Sequence, residues 1–253
     1  MQRFASSEWG PALAGLLLLV VLVGLLELLS LSNMLSPFTV PPPSDIFASV
    51  PRLFTDEHLA SLFLKTFGVI LAATILCVVI GVPLGLLLYM KRDLGRAYEG
   101  WLGAAFSAPI ILLYPLFLVV MGRGLHTVVV MSFIAGVTPA ILSTYRGLRG
   151  VPDIYLRVAK SFNMPQRDLY WKVLAPAALP SIFTGIRLTL IYVMINVVAV
   201  EFLMAIGGLG FLVGNLYDRY DIPGMYAAVI FVILVSVLLF FGIDKGEKWL
   251  KRL

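Results

Sequence analysis

Arg146-Gly-Leu-Arg-Gly-Val-Pro-Asp-Ile-Tyr-Leu-Arg-Val-Ala-Lys-Ser-Phe-Asn-Met-Pro-Gln-Arg-Asp-Leu-Tyr-Trp-Lys-Val-Leu-Ala-Pro176 is polar, cationic and punctuated by proline, and it lies between long apolar runs. A chain that needed only to reverse between two membrane spans would do so in a few residues. This one spends a whole segment, extending on to Pro180 and Arg187. Pro152 suits the first position of a helix, where its missing N–H is unpaired anyway. Ile154, Val158 and Phe162 recur every fourth residue and share one face, with Arg157 and Lys160 on other faces. Asn163 suits the left-handed residue that ends a helix. Pro165 then starts a second short helix on which Leu169 and Val173 align, and Pro176 and Pro180 are expected to stop it. The reading is a helix, a sharp turn and a second helix. The apolar stripes are too short to cross a bilayer, so they either lie on the membrane surface or insert into a groove of a partner protein.

The rest of the chain sets this segment in a membrane. Hydrophobic residues make up 60% of the 253 and charged residues 13%, against roughly 25% charged in soluble domains. A transmembrane helix needs about 20 mostly apolar residues, and six windows qualify: 11–31, 66–90, 101–121, 127–145, 182–204 and 225–243. The first is too long for the apolar core of a signal peptide and reads as a retained span. Pro109, Pro115 and Pro139 interrupt the third and fourth, predicting kinked helices inside the bundle whose freed carbonyls find partners there. The predicted fold is therefore an all-α polytopic membrane protein, six transmembrane helices with a cytoplasmic helix-turn-helix between spans four and five. Residues 1–253 read as a single domain, with no repeat, linker or low-complexity cut.

Charge placement orients it. With the N-terminus in the cytoplasm, fifteen of the 19 Lys and Arg fall on inner segments: Arg3, then Lys91, Arg92 and Arg96, then the seven from Arg146 to Arg187, then Lys245, Lys248, Lys251 and Arg252. Arg52, Lys65, Arg123 and Arg219 fall outside. The positive-inside rule then places both termini in the cytoplasm. The net charge of +5 serves topology and anionic membrane lipid rather than nucleic acid. On the first outer segment, Pro41-Pro42-Pro43 imposes an extended entry, and Ser44 or Asp45 is expected to cap a short helix through Val50.

Other classes are excluded by what the sequence lacks. Cys77 is the sole cysteine, so no intrachain disulfide or cysteine metal cluster forms. His58 and His126 have no ligand-spaced neighbours, no nucleophile–base constellation appears, and no Gly-x-x-x-x-Gly-Lys-Ser/Thr phosphate loop is present. A self-contained secondary transporter or channel is the alternative; it calls for paired intramembrane charges and inverted repeats, and neither is found.

Within the spans, Glu201 is the sharpest candidate, since an ionisable residue there is costly. Followed by Gly207, Gly208 and Gly210, it either bonds freed backbone N–H groups at a helix break or lines a pathway. Asn196 is read as an inter-helix hydrogen-bonding residue or a pathway residue, Tyr114 beside Pro115 as packing or pathway, and Arg187 as an interface anchor. Glu27 reads as an interfacial carboxylate. Gly81 and Gly85 form a small-xxx-small pair suited to close helix approach. Asp218-Arg219-Tyr220-Asp221 is a solvated loop or a contact for an outer protein. No basic residue sits in mid-span, which counts against tight anion binding there.

The polar segment resembles the cytoplasmic coupling loop of bacterial ABC importer permeases of the binding-protein-dependent class, whose pattern is Glu-Ala-Ala, three residues, Gly, nine residues, Ile-x-Leu-Pro. The register sets Arg157-Val158-Ala159 on the triplet, Asn163 on the Gly, and Val173, Ala175 and Pro176 on the Ile, Leu and Pro. Arg157 departs from the family's acidic residue and Ala175 from a larger one. Pro109, Pro115 and Gly122-x-Gly124, then Pro176 to Arg187, then Glu201 to Gly210 extend the likeness over about residues 60–245, most similar to the nitrate/taurine/alkanesulfonate-type permeases. The resemblance implies a homodimer with a pathway between two copies. It also implies two copies of a separate ATPase on the coupling loops, contacting Arg157, Val158, Ala159, Phe162, Asn163, Val173, Ala175 and Pro176. An outer solute-binding protein delivers a small solute, ATP and Mg reside on the partner, and this chain has no catalytic site. It places the chain in the bacterial inner membrane.

Overall fold

The computed structural model describes residues 10–32, 34–36 and 38–250; Arg3, Lys251 and Arg252 of the charge count lie outside them, as does Pro37. The described residues are helical with short connections. In chain order they form α1 (Gly10–Leu31), α2 (Pro43–Thr55), α3 (Leu59–Met90), α4 (Arg92–Ser107), a 3-10 turn (Ile110–Leu113), α5 (Tyr114–Met121), α6 (Leu125–Arg149) and α7 (Asp153–Ser161). After these come α8 (Gln166–Asp168), a π-helical stretch (Leu169–Leu174), α9 (Ala175–Met204), α10 (Leu209–Asp218) and α11 (Ile222–Leu250). Among the described residues five stretches are long and apolar enough to cross a membrane, and α4 with the Ile110–Met121 stretch supplies a sixth if counted as one span.

That sixth span corrects the expected third one. It is not a kinked rod: α4 and the following stretch meet at 79°. α4 ends at Ser107, Ala108 is extended (φ −73°, ψ 133°), and Pro109 follows. The residue before proline is pushed out of the helical region, so the break falls where the sequence demands it. One face of the stretch packs on the helical core through Ile111, Tyr114, Phe117 and Leu118, and the other leaves Leu116, Val119 and Val120 exposed.

By their contacts the residues divide into two compact units. One takes the chain up to Leu59 together with Leu212–Phe231. Here the expected Ser44 or Asp45 cap of α2 is not formed. The helix starts after Pro42 with no side-chain cap of its own. Glu27 of α1 accepts from the Ser44 backbone N–H (3.0 Å) and hydroxyl (2.7 Å). A carboxylate near a helix N-terminus faces the positive end of the dipole, so Glu27 serves a neighbouring helix rather than only the interface. Arg219 pairs with Glu57 at 2.6 Å and Arg52 with Asp221 at 3.6 Å, which ties the Asp218–Asp221 loop down.

The other unit takes Ala60–Phe211 and the chain from Val232. Its core joins Val69, Ile70, Ala73 and Cys77 of α3 to Val128 and Met131 of α6 and to Val193, Val197 and Val200 of α9. Close approach is set by glycine. A Cβ on Gly81 would stand 2.7 Å from the Ala140 Cβ, and one on Gly85 would stand 2.6 Å from the Thr144 Cβ and 2.7 Å from the Ile141 carbonyl oxygen. The small-xxx-small pair therefore marks the α3–α6 contact, as expected. Thr189 donates to the Gly136 carbonyl at 2.9 Å across α6 and α9. Arg187 pairs with Asp244 (3.4 Å) and lies over the Phe240 ring, so it anchors α9 to α11. Gly85→Val is expected to lower stability by about 2–3 kcal/mol, because the Ile141 backbone cannot give way. Gly103→Ala, with nothing within 4 Å, should be neutral or stabilising. Thermal denaturation in mild detergent separates the two; equal midpoints would sink the packing argument.

Candidate functional site: an apolar groove and a stapled helix break

The polar segment folds as a hairpin of helices. Pro152 is the N-cap of α7 (φ −57°, ψ 136°), one residue before the helix starts at Asp153, so the expected first-position role shifts by one. α7 ends as the sequence predicts. Asn163 has φ +49°, its N–H donates to the Lys160 carbonyl (2.9 Å), and the Met164 N–H donates to the Ala159 carbonyl (3.1 Å). These are the paired bonds of a Schellman ending, and asparagine tolerates the left-handed region better than other residues with a Cβ.

The second helix departs from expectation. Pro176 and Pro180 do not stop it. Helical backbone runs from Gln166 through the π-helical stretch into α9 without interruption. A proline near the start of a regular helix gives up an N–H that the widened π turn does not use in the ordinary i−4 pattern, and prolines are tolerated inside membrane helices.

The hairpin opens an apolar groove of about 530 Å³ lined by Ile154, Tyr155, Val158, Phe162, Met164 and Val173, with Ala159 at its floor. Phe162 is 77% exposed and Val158 49%, whereas Ala159 is 3% exposed. Of the predicted coupling residues, Val158, Ala159, Phe162 and Val173 meet in this groove, and Asn163 forms the turn beside it. Arg157, Ala175 and Pro176 do not line it. Arg157 is exposed and has no ion pair among the described residues. Beneath, Leu148, Val151, Leu174 and Ala178 seal the hairpin against α6.

The second candidate set lies at the break between α9 and α10. Glu201 is fully buried. Its carboxylate accepts the Thr66 hydroxyl (2.9 Å to Oε2, 3.0 Å to Oε1) and the Gly210 N–H (3.1 Å). The Thr66 oxygen in turn accepts the Leu209 N–H at 2.8 Å. Leu209 and Gly210 open α10, so Glu201 and Thr66 satisfy N–H groups that a helix start leaves orphaned. On the other side of the break Arg123 donates to the Met204 carbonyl at 2.6 Å and the Ala205 carbonyl at 3.3 Å, completing the C-terminus of α9. A Cβ on Gly208 (φ +152°) would fall on the Glu201 carboxylate, and one on Gly210 on the Val198 carbonyl; Gly207 has room. Two of the three glycines are thus required, and Glu201 takes the helix-break geometry among the two expected.

Arg123 and Thr66 were not singled out from sequence. An arginine held between Gly122 and Gly124 was the available signal for the first; Thr66 carried none. The break starts at Ala205, left-handed at φ +51°, where no glycine announces it. Tyr114 is half-buried against the core of α3, α6 and α9. Asn196 is buried on α9, its Nδ2 donating to the Tyr192 carbonyl (3.2 Å). No group of three metal-ligating side chains occurs among the described residues.

This arrangement of helices is that of a solved ABC transporter. The chain superposes on the inward-facing MetNI methionine ABC transporter with a TM-score of 0.68 over 80% of this chain and 99% of that one, at 22% identity, a shared fold. In sequence it is 27% identical to the formylaminopyrimidine transport permease protein ThiX of Halalkalibacterium halodurans, over 85% of this chain and 88% of that protein. It is 24% identical to the taurine transport system permease protein TauC of Escherichia coli, over 83% and 78%. The model of the family described as binding-protein-dependent transport system inner membrane component matches residues 77–252, and the chain belongs to that family.

Proposed function

We propose that this chain is the membrane-spanning permease subunit of an ATP-driven importer, one half of a pathway for a small solute handed over by an outer solute-binding protein. The observation that carries this reading is the family match across residues 77–252, which contains the groove and, apart from Thr66, the stapled break. The whole chain acts as one permease domain in the inner membrane, with both termini in the cytoplasm and two copies making the pathway.

The groove between α7 and the π-helical stretch receives an apolar element of a separate ATPase, one per permease. ATP and Mg are bound on that partner, and closure of the ATPase pair pulls the hairpin. Because helical backbone continues from the hairpin into α9, displacement at the groove reaches the span without passing through a flexible loop. Arg157 stands where the family pattern has an acidic residue, so it meets an acidic side chain of its ATPase. Glu201 holds the α9–α10 break rather than contacting solute. The relatives' own solutes, a formylaminopyrimidine and taurine, differ in charge and shape; the fold accommodates both kinds.

Purification of tagged chain from native membranes in mild detergent tests the reading. An ATPase should copurify, and proteoliposomes with the binding protein should accumulate solute only with ATP inside the compartment the groove faces. Solute movement by purified chain alone down an ion gradient would overturn it.

A further inference from the structure

A pocket of about 230 Å³ lies where the end of α3, the start of α4, the end of α6 and the first turn of α7 meet. Its lining includes Arg92, Arg96, Tyr145, Arg149 and Asp153. We propose that this pocket binds a phosphate group, carried either by a phospholipid headgroup or by a soluble phosphate. The inference goes beyond the importer reading, and no part of it requires an ATPase.

Charge points to an anion. Three guanidiniums and one carboxylate line the pocket, yet Asp153 pairs with none of them among the described residues. Glu99, outside the lining, pairs with Arg149 at 3.1 Å and Arg146 at 3.0 Å. Arg92 and Arg96 have no ion pair among the described residues, and like charges at i and i+4 on a helix repel. Packing enforces the crowding. A Cβ on Gly95, which lies between them in the chain, would stand 2.7 Å from the Tyr145 ring and 2.6 Å from the Leu88 carbonyl oxygen. α4 therefore presses on α6 at the turn that carries its two arginines, and a bound anion relieves the repulsion among the three.

Geometry narrows the anion to phosphate. Arg149 Nη1 donates to Glu99 and to the Tyr145 hydroxyl, each at 3.1 Å, and the guanidinium lies over the Tyr145 ring at 5.5 Å. Those contacts fix its plane and use both Nη1 hydrogens. The Nε and Nη2 hydrogens have no partner among the described residues, and a guanidinium edge takes two oxygens of one anion. A carboxylate has two oxygens in one plane, whereas a tetrahedral phosphate shares its oxygens among several arginines. The volume lies below the range of about 300–1,000 Å³ typical of ligand pockets, which suits a phosphate and the start of its ester group. Leu94, Tyr98 and Trp101 are exposed on the opposite face of α4, an apolar and aromatic stripe suited to the membrane–water interface. A pocket at that level is within reach of headgroups and of soluble phosphates alike.

The test uses the full chain, with any ATPase that copurifies, delipidated in mild detergent. Inorganic phosphate, phosphatidylglycerol and a diacylglycerol with the same chains are titrated at constant ionic strength, and binding is read as a rise in the thermal midpoint. The expected result is a saturable rise with phosphate, with phosphatidylglycerol or with both, and none with diacylglycerol. A response to phosphate alone assigns the soluble source, and a response to phosphatidylglycerol alone assigns the headgroup. Arg92→Gln with Arg96→Gln, both at exposed positions, should weaken the apparent affinity by about tenfold or more. Lys160→Gln with Arg167→Gln removes the same charge at exposed positions outside the pocket and should leave the affinity unchanged. The proposal is overturned by no saturable rise with either phosphate probe, or by a full response in the Arg92 and Arg96 variant. It is equally overturned by the same loss in the Lys160 and Arg167 variant, which would make net charge the cause, or by a diacylglycerol response equal to that of phosphatidylglycerol. ATPase content of the same samples reports on the importer reading separately, so either can fail while the other stands.

Discussion

Phe162→Asp is expected to release the ATPase from the purified complex while leaving the permease folded. Phe162 is 77% exposed, so its removal gives up little packing within the chain. It lies at the rim of the groove with Ile154 and Val158, and a fully buried phenylalanine is worth about 1.5–3 kcal/mol. Aspartate would also bring a charge into the contact without a partner. Aromatic anchors seated in pockets dominate such interfaces at about 2 kcal/mol or more each, which is roughly a thirtyfold loss of affinity at each groove. Two grooves in a dimer compound the loss. Asn163→Gly keeps the left-handed turn (φ +49°) and should retain the ATPase, which separates the side chain's contact from the shape of the hairpin. The ratio of ATPase to permease after size exclusion is the readout. A full complement of ATPase on Phe162→Asp would show that the groove docks something else.

Glu201→Leu is the second large effect, and it acts on stability. The carboxylate holds the Thr66 hydroxyl and the Gly210 N–H at a fully buried position. Leucine fills the volume but strands both donors, and the Leu209 N–H loses part of its partner as Thr66 reorients. Each buried unsatisfied donor costs about 1–3 kcal/mol, so a loss of about 3–5 kcal/mol is expected for the break as a unit. Glu201→Gln keeps one acceptor oxygen and should cost about a third as much. Thr66→Val combined with Glu201→Leu should cost less than the sum of the two, because the residues share one network. Heat denaturation in detergent reads these differences. If Glu201→Leu were as stable as the parent and lost only solute uptake, the carboxylate would belong to the pathway after all.

The membrane class, the spans and the hairpin at the polar segment were legible because their causes are local. Apolar runs of bilayer length, the four-residue spacing of Ile154, Val158 and Phe162, and an asparagine suited to left-handed backbone each act within a few residues. Gly81 and Gly85 were legible for the same reason, since both lie on one face of one helix. Pro109 was read as a kink, although the chain turns through 79° there: proline states where a helix fails, while the angle depends on what packs on either side. Pro176 and Pro180 misled in the opposite direction. The rule that proline ends a helix assumes that water takes the freed carbonyl, and a long apolar helix has every reason to go on.

The break beyond Glu201 was half legible. A carboxylate in a span followed by three glycines announced a discontinuity, but its partners Thr66 and Arg123 come from segments 135 and 81 residues away. Pairings of that range are decided by the fold as a whole.

The unbroken helical backbone from Gln166 into α9 gives this region an unusual intolerance to length change. An α-helix advances about 100° and 1.5 Å per residue. Deleting one residue between the groove and α9 would therefore spin the groove by about that angle about the helix axis, like a camshaft reassembled one tooth out of time. Surface connections absorb insertions and deletions because their slack hides the error. Here a continuous helix transmits it in full, so timing between groove and span is written into the residue count as firmly as into the residues themselves.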